Sequence, residues 1–74
     1  MAHFRIVFAD GQTTEYPDVS QLTYVSAHAK GSVTVSENLE EHCVPVGYPL
    51  WLRTSNGIVG VNGEGIRLIE VTAD

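Results

Sequence analysis

The chain predicts a small all-β domain: five or six short antiparallel strands curled into a roll or a partly open barrel. Three observations lead there. Val, Ile and Thr number 20 against 11 for Ala, Leu and Met, a balance that favours pleated, half-buried backbone over helix. Glycines, several of them behind Asp or Asn, recur at short intervals, as they do where one hairpin follows another. Finally, 74 residues with 43% hydrophobic content leave room for one core and not two.

The first element runs from Phe4 to Tyr16. Phe4, Ile6 and Phe8 alternate with Arg5, Val7 and Ala9, which puts three large apolar groups on one face of a strand. Asp10-Gly11 supplies the turn. With Ala9-Asp10-Gly11 as a three-residue loop, Arg5 faces Glu15 and Phe4 faces Tyr16. With Asp10-Gly11 alone, Arg5 faces Tyr16. The first register is preferred, because it sets opposite charges and two aromatic rings across from each other. Pro17-Asp18 then breaks the hairpin.

Val19 to Ala29 admits two readings. As a helix it would take Asp18 as N-cap, Gln21 three residues on, and Lys30-Gly31 as its close; the domain would then be α+β. As a strand it centres on Leu22-Thr23-Tyr24-Val25 and turns at Lys30-Gly31 into Ser32 to Ser36. The strand is favoured, since the middle is rich in β-branched and aromatic residues and the helical stripe is thin. Glu37 to Gly47 reads as a long loop, with one helical turn around Asn38-Leu39-Glu40-Glu41.

Pro49 to Thr54 and Ile58 to Val61 form the next hairpin, since Asn-Gly between apolar runs is a strong hairpin signal. A two-residue turn at Asn56-Gly57 sets Leu52 opposite Val61, Arg53 opposite Gly60 and Trp51 opposite Asn62. Leu50, Leu52, Val59 and Val61 then share a face. A three-residue turn would move Trp51 and Arg53 beside Val61 and Val59. Ile66 to Thr72 is the last strand. It is apolar on both sides, the mark of a central or barrel-closing strand. The expected core is Phe4, Ile6, Phe8, Leu22, Val33, Val35, Leu50, Leu52, Val59, Val61, Ile66 and Leu68.

Charge and composition narrow the function. A net charge of −5 argues against nucleic acid as partner, and Arg5, Lys30, Arg53 and Arg67 are scattered over different elements. A small nucleic-acid-binding barrel is therefore only an alternative. No apolar stretch is long enough for a secretory signal or a membrane span, and a single cysteine cannot form an internal disulfide. A cytoplasmic protein without a membrane partner is expected.

The candidate chemistry is sparse. His42-Cys43, with His3 and His28, suggests a metal site or a thiol nucleophile. Yet adjacent residues seldom reach one ion together, and Glu40 and Glu41 disfavour a thiolate. A metal- or thiol-dependent enzyme is thus the second alternative; no metal, cofactor or catalytic residue is assigned. The glycines of Gly60 to Gly65 lead into a strand rather than a phosphate-binding helix, and Glu37, Glu40 and Glu41 lack the alternating ligand pattern of a calcium loop. Tyr48, Trp51 and Arg53 remain as candidate binding residues, because Tyr, Trp and Arg are enriched at interface hot spots. The competing reading puts Trp51 in the core, covered by Arg53. The chain is expected to be a non-catalytic interaction or structural module, forming a homodimer or meeting another protein through a sheet edge and the Trp51 region.

Overall fold

The computed structural model describes residues 1–26, 31–42 and 44–73. Within them the extended runs become β1 (Ala2–Phe8), β2 (Thr13–Val19), β3 (Gln21–Ser26), β4 (Gly31–Val35), β5 (Leu50–Thr54), β6 (Gly57–Val61) and β7 (Ile66–Ala73). A 3₁₀ turn covers Leu39–Glu41. The strands form two antiparallel sheets, in the orders β2-β1-β7 and β4-β3-β5-β6. Neither closes into a barrel.

Seven strands stand where five or six were expected, and between the second and the third the chain changes sheet at one residue. Val19 ends β2, Gln21 begins β3, and Ser20 between them donates its backbone N–H to the Arg53 carbonyl at 2.9 Å. Leu22 and Tyr24 are buried, while Gln21, Thr23 and Val25 are only half-buried. That period of two belongs to a strand and overturns the helical alternative as far as Ser26. Residues 27–30, with the Lys30 end of the expected turn, lie outside the described residues.

The first hairpin has the preferred register: Phe4 pairs with Tyr16 and Arg5 with Glu15. Pro17-Asp18, expected to break it, instead forms a bulge. Ala2 pairs with Val19, so two β2 residues face His3. Both Tyr16 and Val19 therefore turn inward. An edge strand tolerates proline there, since no ladder bond is lost.

A second bulge corrects the expected core. Phe8 pairs with Ile66 but Val7 pairs with Leu68, leaving Arg67 as the extra residue. The alternation of β7 shifts by one at that point. Ile66, Ile69 and Val71 pack inward, and Leu68 is turned to the outer face. β7 is apolar on both sides for this reason, and it is an edge strand, not a central one.

In the β5–β6 hairpin the turn is Ser55-Asn56, with Thr54 paired to Gly57. This moves the expected register by two residues. Leu52 faces Val59, Arg53 faces Ile58, and Trp51 faces Gly60. A shift of two preserves the faces, so Leu50 and Leu52 remain fully buried. Val61 packs at the core margin, while Val59 is half-buried at the sheet edge.

Phe4, Ile6 and Val19 from one sheet meet Leu22, Tyr24, Leu50 and Leu52 from the other. Leu39 caps one end of this core from the 3₁₀ turn, which packs against β7. Asp18 ties the sheets together at the corner by accepting from both the backbone N–H and the hydroxyl of Ser55.

Candidate interaction surface

The outer face of β4-β3-β5-β6 follows from the register. Gln21, Thr23 and Val25 on β3, Ser32 and Thr34 on β4, Trp51 and Arg53 on β5, and Ile58 and Gly60 on β6 all alternate away from the core. Thr23 and Thr34 join their hydroxyls at 3.1 Å across the strands. Trp51 is 38% exposed and Ile58 60% exposed. The core reading of Trp51 is thereby set aside.

Gln21, Thr23, Trp51, Arg53 and Ile58 line an open groove of about 230 Å³. Arg53 sits opposite both Gln21 and Ile58, and Trp51 opposite both Thr23 and Gly60. A methyl carbon at Gly60 would lie 3.3 Å from Cδ1 and 3.4 Å from Nε1 of Trp51. The indole therefore leans across β6 over the residue that has no side chain.

Tyr48 is exposed but does not line this groove. Its backbone is packed against Gly63, where any Cβ would collide with it. That close approach fixes the segment leading through Pro49 into β5. Of the three expected binding residues, the fold brings Trp51 and Arg53 together and holds Tyr48 apart.

Ile58, Gly60, Gln21 and Thr23 were not among the expected binding residues. One signal was available for the first two: Gly57-Ile58-Val59-Gly60-Val61 is a complete strand without a charge or a proline. β6 pairs only with β5, so its other side has no strand partner among the described residues. An apolar edge of this kind is a template for another strand.

The other candidates resolve differently. His42 Nε2 lies 2.6 Å from the Tyr24 hydroxyl, and the two rings are 5.3 Å apart and tilted by 46°. This contact fastens the loop after the 3₁₀ turn to β3. Cys43 and His28 lie outside the described residues. Among the described residues, no group of three or more His, Cys, Asp or Glu is placed to hold a metal ion. No helix there is long and apolar enough to cross a membrane. On the opposite outer face, His3 Nε2 meets Glu15 at 2.8 Å, and Arg5 donates to Glu70 at 2.9 Å. Comparison with family models, with curated proteins and with solved structures gave no match.

Proposed function

We propose that this chain is a non-catalytic interaction module that associates with itself through the open side of β6 and the adjoining Trp51–Arg53–Ile58 groove. The observation that carries the reading is one juxtaposition: an uncharged edge strand, with no partner on its far side among the described residues, beside an exposed tryptophan and an exposed isoleucine. Backbone groups on such an edge supply affinity, and side chains beside it supply selectivity. The size of the chain adds support, because a domain this small gains stability by burying apolar surface against a copy. A cytoplasmic setting belongs to the same reading and is supported by the single cysteine.

Sedimentation velocity over a concentration series tests it. The average mass should rise from that of one chain toward that of two. Trp51 is the only tryptophan, so its emission should shift to shorter wavelength over the same range. A single-chain mass at every concentration, with unchanged emission, would remove the proposal.

A further inference from the structure

We infer that two copies join through β6 in one defined register: antiparallel about a two-fold axis at Val59, with Ile58 of each copy laid against the partner's Trp51. The inference rests on the self-association proposed above and adds its geometry.

The backbone sets the register. Thr54 and Gly57 close a two-residue turn, and the pair that closes such a turn exchanges both of its hydrogen bonds. Bonded pairs then alternate along the ladder. Gly57, Val59 and Val61 direct their N–H and C=O groups toward β5, while Ile58 and Gly60 direct theirs outward. A second copy presents the same two residues. Antiparallel pairing of Ile58 with the partner's Gly60, and of Gly60 with the partner's Ile58, satisfies the outward groups of both chains. Val59 then faces its own equivalent.

Side chains agree with this register. Ile58 is 60% exposed and Gly60, two residues on, has no side chain. The two-fold sets each protruding group opposite a residue without one. At Gly60 the incoming isoleucine meets the indole that already leans over that position. On the inner face, half-buried Val59 meets the partner's Val59 and extends the core across the join. One surface patch serves both copies, as a two-fold interface requires.

Charge selects this edge over the others. The net charge of −5 opposes contact between copies over most surfaces. Edge strand β2 carries Glu15, Pro17 and Asp18, and β7 carries Arg67, Glu70 and a bulge, which are features that block edge pairing. β4 is uncharged, but its exposed residues Gly31, Ser32 and Thr34 offer no large apolar group. β6 combines an uncharged edge with a protruding apolar side chain.

Disulfide trapping tests the register. Val59→Cys, in a chain whose sole native cysteine is replaced by Cys43→Ser, is oxidised at a concentration where sedimentation reports the dimer. Facing residues of a non-bonded antiparallel pair have Cα atoms about 4.5 Å apart, within disulfide reach. Covalent dimer should form at least about tenfold faster than for Ile58→Cys or for Thr34→Cys on β4. Ile58→Lys, at an exposed position, should weaken the dimer at least about tenfold with an unchanged circular dichroism spectrum. If Val59→Cys fails to fold by that spectrum, Ile58→Lys alone decides. A dimer that cross-links faster through Ile58→Cys or Thr34→Cys overturns the register and leaves self-association standing. A dimer indifferent to Ile58→Lys does the same. A chain monomeric throughout removes both.

Discussion

The strands of sheet β2-β1-β7 carry His3, Arg5, Glu15, Asp18, Arg67 and Glu70, whereas those of sheet β4-β3-β5-β6 carry Arg53 alone as a charged residue. Their inner faces are alike: each supplies fully buried apolar side chains to one shared core. Their outer faces diverge. The first is cross-linked by His3–Glu15 and Arg5–Glu70 contacts, and its edges are interrupted by a proline bulge and by Arg67. The second presents hydroxyls, an indole and an isoleucine. The difference outside fits the self-association proposed above, which needs one face open to a partner. A charged outer face is kept in water. One with Arg53 as its single charge, and with no strand beyond β6 among the described residues, is open to pairing.

The largest expected effects probe the likeness of the inner faces. Phe4→Ala in one sheet and Leu52→Ala in the other both open cavities at fully buried positions. They should cost about 3–5 and about 2–5 kcal/mol respectively, measured by urea unfolding at one fixed protein concentration. A severe loss at one site with almost none at the other would show that the two sheets do not depend on a common core.

Smaller effects are expected on the charged face. Arg5→Ala removes an ion pair whose side chains are 44% and 52% exposed. The loss should be about 0.2–1 kcal/mol, with no change in sedimentation. A change in association from Arg5→Ala would erase the contrast drawn between the outer faces.

The smallest effect belongs to the corner where the sheets are tied. Hydrogen bonds from the Ser55 hydroxyl, and then from its backbone N–H, hold the Asp18 carboxyl below its ordinary range. The folded form binds its proton less readily than the unfolded chain does. This contribution to stability is therefore complete above the unfolded value of about 3.9 and is lost as pH falls through the lower folded value. Asp18→Asn should flatten the decline of the urea midpoint on acidification below about pH 4. Identical acid slopes for the two proteins would mean that the Ser55 contacts do not hold in solution.

Most of the fold was legible because alternation, glycine turns and β-branched composition agree along the chain. Phe4, Ile6, Leu22, Leu50 and Leu52 were expected inside and are fully buried. The misreadings share a cause. A bulge inserts one residue without leaving a hydrophobic signature, so the extra residue at Arg67 exchanged Leu68 for Ile69 in the core, and Pro17-Asp18 looked like an end of strand. The shift of two at Ser55-Asn56 was invisible to pattern reading for the opposite reason: it moves every pair and changes no face. Trp51 and Arg53 were legible as candidates from residue type. Ile58 and Gly60 carried only the signal of an uncharged strand; what distinguishes them is that β6 has no second neighbour among the described residues, which depends on strand order.

Ser20 has a consequence for how the molecule opens. A connection one residue long, held by its own amide to the Arg53 carbonyl, gives the two layers no slack with which to part while each stays intact. Breathing of one layer has to pull on the other, so the slowest-exchanging amide protons of both should share one opening free energy.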